Sequence, residues 1–227
     1  MLSENETKTA ELETESPPES EQYSRGVLFV VSSPSGGGKG TLINRVLKTV
    51  PGLSYSVSYT TRAPRKGEVD GADYFFVSTS QFEELVAADQ FLEWARVHGN
   101  LYGTSRAQVL KEIGERRDII LEVDVQGAAS VRKLLADAVS IFIVPPSFEV
   151  LNQRLVARNT DSALELELRL RNAPIELRNY VAFDYVIVND DLDRASAQLA
   201  SVIYAERARR KRQEQEVRRV AETFPVT

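Results

Sequence analysis

The chain contains no cysteine, one histidine, one methionine and one tryptophan among its 227 residues. The missing thiols exclude disulfides, thiolate zinc sites and cysteine nucleophiles, and they fit a reducing compartment. With His98 alone, a histidine-rich metal centre or a serine–histidine hydrolase pair is improbable. Long apolar runs are also missing. Val27–Val31 and Ile141–Pro146 are far short of the roughly 20 residues needed to cross a bilayer. The N-terminus lacks the basic-then-apolar order of a signal peptide, so the expectation is a cytoplasmic protein without membrane contact. A net charge of −5 gives no reason to expect a general nucleic-acid binder.

What is present is a globular composition, 42% hydrophobic and 27% charged, unevenly arranged. Residues 1–22 carry seven glutamates, one lysine and two prolines, too little apolar surface to offset ordering entropy, and read as a disordered acidic tail. Glu206–Arg219 reads as the polar end of a long helix starting near Leu192. A solvated face is a better account of it than a nucleic-acid patch.

Between these ends, apolar runs alternate with helical patterns. Strands are expected at Gly26–Ser32, Asp118–Val125, Val139–Val144 and Phe183–Val188. Helices are expected at Thr41–Thr49, at Gly127–Leu135, from Pro146 with Val150, Leu151, Leu155 and Val156 on one face, and at Asp190–Ala208. That alternation predicts an α/β fold with a parallel sheet covered on both faces. Residues 54–104 break the rhythm and predict a small β-rich insertion with one helix near Ser80–Ala88. Ala157–Arg171 predicts an irregular, arginine-rich stretch.

The most specific local feature is Ser32-Ser33-Pro34-Ser35-Gly36-Gly37-Gly38-Lys39-Gly40-Thr41, placed between a strand and a helix. Small residues let backbone N–H groups converge on phosphate oxygens, the helix N-terminus adds partial positive charge, and Lys39 adds a mobile full one. The pattern departs from G-x-x-x-x-G-K-[ST] twice. Ser33 stands for the first glycine, and Gly40 for the hydroxyl that holds magnesium, which Thr41 could reach only through water.

Glu122 and Asp124 end a buried strand at alternate positions and so share a face, suited to a metal, to a ligand amine, or to plain solvation. Arg62 and Arg65 follow several hydroxyl side chains in one loop, which suits a phosphate clamp or merely a basic surface loop. Glu93 lies inside the apolar run Phe91–Ala95, where strand alternation alone could turn it outward. His98 reads as turn chemistry more than as a base.

Taken together in this order, the phosphate loop, S-Y-T-T-R-A-P-R, G-x-D-Y-x-F-V, F-L-E-W-A, H-G-N-x-Y-G-T, D-V-Q-G and V-N-D-D-L resemble guanylate kinases over about Gly26–Glu206. The resemblance implies a three-layer P-loop core (23–57, 105–153 and 174–227), a GMP-binding insertion (58–104) and a mobile lid (154–173). It implies that ATP phosphorylates GMP, and dGMP as well, with Mg²⁺, in purine nucleotide metabolism. Ser33, Pro34, Ser35, Gly36, Gly37, Gly38, Lys39, Gly40 and Thr41 would hold the ATP phosphates, with Asn189 near the ATP base. Ser58, Arg62, Arg65, Tyr74 and Tyr102 would grip the GMP phosphate. Glu93 and Thr104, beside Gly103 and with Asp124 and Glu122 near, would read guanine. Arg154, Arg158 and Arg169 would close over the transferring group.

The lid departs from the family pattern at Asn159, at Ala163 and Leu164, and at Pro174, where a helix should start or kink. Two readings compete with catalysis on GMP: a kinase for another nucleoside monophosphate, and a guanylate-kinase-like binding module without activity. An intact loop, and a length that leaves no room for an attached interaction module, count against the latter. A monomer or a homodimer is equally compatible.

Overall fold

The computed structural model describes residues 25–97, 99–157 and 163–225. The expected acidic tail, His98, Arg158 and Asn159 lie outside them.

β1 (Leu28–Ser32) is buried at every residue and forms the centre of a five-stranded sheet. β7 (Asp118–Glu122) and β8 (Val139–Val144) flank it, with β2 (Leu53–Tyr55) and β9 (Tyr185–Val188) at the edges in the order β2-β7-β1-β8-β9. Every pairing in this sheet is parallel. Alternation along β1 sends Phe29 and Val31 to one face and Leu28 and Val30 to the other. The first pair packs with Leu42, Ile43 and Val46 of α1 (Lys39–Thr49) and with Leu199 and Ile203 of α7 (Leu192–Arg207). The second packs with Val109 and Ile113 of α3 (Arg106–Gly114) and Ala128 and Val131 of α4 (Val125–Leu134). A sheet buried on both faces explains the continuous apolar strands of the sequence.

A second sheet, ordered β4-β3-β6-β5, is built from β3 (Tyr59–Thr60), β4 (Phe75–Phe76), β5 (Phe91–Val97) and β6 (Asn100–Ser105). α2 (Thr79–Ala87) packs on it. Ser78 and Gln81 cap α2 reciprocally, which satisfies donors at its first turn. Its one buried residue, Phe82, stacks on Phe91 with ring centroids 4.6 Å apart. α5 (Phe148–Ala157) and α6 (Ala163–Leu177) form a third unit, where Leu151 and Leu155 meet Ala173.

β2 joins the core sheet, inside the 23–57 segment expected for the core, although Ser54 and Tyr55 overlap the stretch read as breaking its rhythm. Three half-buried residues after Pro51-Gly52 carry no periodic signal. Four expectations are corrected. β7 stops at Glu122, so Asp124 does not continue its face; its carboxylate accepts the Gly127 N–H at 2.9 Å as the cap of α4. Val156 is exposed, unlike its helix neighbours Leu151 and Leu155. The expected long C-terminal helix is two helices, α7 and α8 (Arg210–Ala221), because the Gln213 amide caps the Arg207 carbonyl at 2.8 Å and Glu206, buried, is tied to Tyr185 and Arg209. The stretch read as irregular becomes helical from Ala163, and α6 runs through Pro174. Packing of Leu166 and Leu170 on the α5 cluster compensates for the hydrogen bond the proline removes.

Candidate functional site

The loop after β1 leaves the carboxyl end of a central strand. There the next core strand, β2, lies to one side and β8 to the other, the crevice where open α/β sheets bind ligands. A cleft of about 450 Å³ opens there, lined by residues of both sheets and of α6.

At one end is the glycine-rich loop. Gly36 and Gly38 have φ of 87° and 88°, the left-handed region that side-chain-bearing residues avoid. Gly38 also has no room for a Cβ, which would fall 2.3 Å from the Asn189 amide nitrogen. That amide donates to the Gly37 carbonyl at 2.9 Å, and Arg154 donates to the Asn189 carbonyl at 2.8 Å. Asn189 and Arg154 therefore brace the loop from behind. Ser33 donates to the Pro34 carbonyl, and the Gly37 N–H reaches the same oxygen. From α6, Arg169 donates to the Ser35 hydroxyl and Glu176 accepts the Ser35 N–H, both at 2.9 Å. Lys39, the first residue of α1, points its ammonium at Glu122, 3.7 Å away.

At the other end is Glu93. A register irregularity between Phe91 and Glu93 turns this carboxylate inward, as bulges beside binding sites do. Only 4% of Glu93 is exposed, and the Thr104 hydroxyl donates to it at 2.6 Å. Burial pushes its pKa up, the Thr104 hydrogen bond opposes this, the charge of Asp124 adds to it, and the result is about 7. A Cβ on Gly127 would come within 2.6 Å of the carboxylate, so only glycine lets the first turn of α4 approach. Gly103 has no space for a side chain either, because Phe91 would be 2.8 Å away.

Ser58, Arg62, Arg65, Tyr74 and Tyr102 line the same cleft. The Thr60 hydroxyl caps the Arg62 N–H and donates to the Leu101 carbonyl, which fixes where this loop departs from β3. The Tyr74 and Tyr102 rings meet edge to face. Burial and the negative charge of Glu122 hold the Tyr74 phenol well above its ordinary range, so it stays a neutral donor.

Of the residues singled out in the sequence, Ser33, Ser35, Gly36, Gly38, Lys39, Gly40, Ser58, Arg62, Arg65, Tyr74, Glu93, Tyr102, Gly103, Glu122, Asp124 and Arg169 line this one cleft. Thr104, Gly37, Arg154 and Asn189 stand directly behind its walls through the bonds given above. Pro34 is within the loop, and Thr41 is exposed on α1 outside the cleft. Sequence reasoning missed Glu68, Glu176 and the reason for Gly127. Glu68 was visible only as one of three acids, with Asp70 and Asp73, in a loop of mixed charge, and Glu176 makes its contact across 141 residues. Among the described residues, no three His, Cys, Asp or Glu side chains converge to hold an ion unaided, so a metal here would depend on oxygens brought by a ligand.

A family profile described as guanylate kinase matches residues 25–206. The guanylate kinase of Symbiobacterium thermophilum is 50% identical over 185 residues, covering 82% of this chain and 88% of that protein. The guanylate kinase of Neisseria gonorrhoeae is 50% identical over 191 residues, covering 84% and 93%. The crystal structure of guanylate kinase from Anaplasma phagocytophilum superposes with a TM-score of 0.75 at 34% identity, covering 90% of this chain and 98% of that one.

Proposed function

The chain belongs to the guanylate kinase family, and on that premise we propose that it moves the γ-phosphoryl group of ATP onto the phosphate of GMP, and of dGMP, by in-line displacement. The observation that carries this reading is a single cleft with a phosphate loop at one end and a buried, inward-turned carboxylate at the other.

Guanine offers N1–H and N2–H₂ as adjacent donors. Ionised Glu93, with Thr104 and Asp124 beside it, is suited to accept both. Adenine lacks the pair and would leave a buried carboxylate unsatisfied, a loss of about 1–3 kcal/mol or more. Ser58, Arg62, Arg65, Tyr74 and Tyr102 then hold the monophosphate. Its oxygen is already anionic, so no strong base is required. Lys39 and Arg169 neutralise charge on the transferring group, and α6, carrying Arg169 and Glu176 to the loop, excludes water as a competing acceptor. Arg154 and Asn189 act on the loop, with Asn189 also toward the ATP base; Arg158, outside the described residues, is assigned to the same closure by resemblance.

Magnesium fits the site. The space between loop and carboxylate is open because Gly40 has no side chain, and a Cβ there would lie 3.3 Å from Glu122 Oε2. Glu122 would hold the ion from the protein side; Thr41, exposed on α1 outside the cleft, is not placed to join it. When bound with ATP, the ion supplies neutralisation of the β- and γ-phosphate oxygens.

The test is ADP production from Mg·ATP with GMP, dGMP, AMP, UMP or no acceptor. Turnover with GMP and dGMP alone is the expected result. GMP binding without turnover on any acceptor would favour an inactive binding module instead.

A further inference from the structure

The acceptor end holds a carboxylate that its phosphate-gripping residues leave unexplained. Both oxygens of Glu68 accept from Arg62 Nη2, at 2.8 and 3.0 Å, and Oε2 also accepts the Arg65 backbone N–H at 2.7 Å. The Glu68 N–H returns to the Arg65 carbonyl at 3.1 Å, closing a turn in which Gly67 has φ of 92°. The two paired side chains are 12% and 18% exposed, so water screens them far less than a surface pair. Burial alone would raise the pKa of Glu68, but the hydrogen bonds from Arg62 and Arg65 outweigh it and the group lies below its ordinary range.

A carboxylate in an anion site either competes with the anion or positions the cations that receive it. Three features favour positioning. Glu68 accepts the backbone N–H of Arg65 and so anchors the turn that carries this side chain. It meets Arg62 through Nη2 alone, while Nη1 donates to the Ala63 carbonyl, and a guanidinium has five N–H donors. The Arg62 guanidinium also lies 5.3 Å from the Tyr74 ring centre and 5.8 Å from that of Phe76, with Tyr102 facing it as well. The side chain is thus fixed on several sides before any ligand arrives.

We propose that Glu68 is a positioning residue for the acceptor phosphate, holding the Arg62 guanidinium and the Arg65 turn in register so that their ordering cost is met in advance. This rests on reading the cleft as a GMP site.

The test is calorimetric binding of GMP and of guanosine, which lacks the phosphate, to the wild type and to Glu68→Gln, Glu68→Ala and Glu68→Asp, with thermal melts alongside. GMP should bind roughly 10-fold more weakly to Glu68→Gln and more weakly still to Glu68→Ala, with partial recovery in Glu68→Asp. Guanosine affinity and the KM for ATP should not change. Unchanged GMP binding would overturn the proposal. So would tighter GMP binding to Glu68→Gln, which is the mark of a competitor, or an equal loss for guanosine, which is the mark of a general structural defect. A wild type that binds neither ligand would instead remove the functional reading beneath it.

Discussion

On the proposed reading, the two ends of the cleft recognise their ligands by opposite means. The loop end is made largely of backbone: glycines in the left-handed region, helix α1 starting at Lys39, and the Asn189 amide and Arg154 guanidinium bracing it from behind. The far end is made of side chains: a carboxylate buried at a cost in solvation, fixed by a hydroxyl from the next strand. A phosphate is the same on every nucleotide, so oriented N–H groups suffice for it. A base must be told from other bases, and an acceptor that punishes the wrong donors does this.

The contrast can be broken one end at a time. The largest effect is expected from Lys39→Ala, which should lower kcat by roughly 10³-fold and leave GMP affinity as it was, measured by steady-state kinetics and calorimetry. Loss of GMP binding as well would mean that the two ends are not separable.

Glu93→Gln should cut kcat/KM for GMP by about 100-fold and narrow the preference over AMP, without raising the KM for ATP. The same change sharpens the comparison through stability. The folded pKa of Glu93, about 7, exceeds the ordinary glutamate value of 4.5, so the folded chain binds a proton more tightly than the unfolded one. Stability from this group therefore falls as pH rises from about 4.5 to about 7 and stays lower above that. The penalty is on the order of 3 kcal/mol. Chemical denaturation should find Glu93→Gln more stable than the wild type at pH 8 and much less different at pH 5.

Gly38→Ala should weaken the loop end alone. A side chain in the left-handed region costs about 1–2 kcal/mol, and the new methyl group would also displace Asn189. A raised KM for ATP with unchanged GMP affinity is the expected outcome. The smallest effect belongs to Asn189→Ala, which removes one hydrogen bond worth about 1 kcal/mol and should raise the KM for ATP several-fold.

The same division governs what could be read from the sequence. The loop end is local: strand, glycines, Lys39 and helix occupy one continuous stretch, so the physics and the motif agree from the residues alone. The core strands β1, β7 and β8 announce themselves as apolar runs because both faces of the sheet are covered. The three-residue β2 does not, since an edge strand of half-buried residues has no pattern to show. At the end proposed to read the base, the spacing of the residues gave only alternatives. Nothing in the spacing of Glu93 says inward or outward; the shift after Phe91 decides it. Glu176 and Ser35 meet only because α6 folds back on the loop. Ending the C-terminal helix at Arg207 depends on the Gln213 side chain turning back to cap it, a choice that helical periodicity cannot foresee.

The central claim is that a buried, ionised Glu93 reads guanine at the end of the cleft away from the phosphate loop. Its most direct test is the affinity for guanosine from about pH 5 to pH 8, in the wild type and in Glu93→Gln. Guanosine is the right probe because the second ionisation of a phosphate, near pH 6, would confuse the result with GMP. Wild-type affinity should be constant above about pH 7 and fall about tenfold per unit below it, while Glu93→Gln binds weakly with no such slope. A wild type whose guanosine affinity is flat across this range, or that matches Glu93→Gln throughout, would contradict the account.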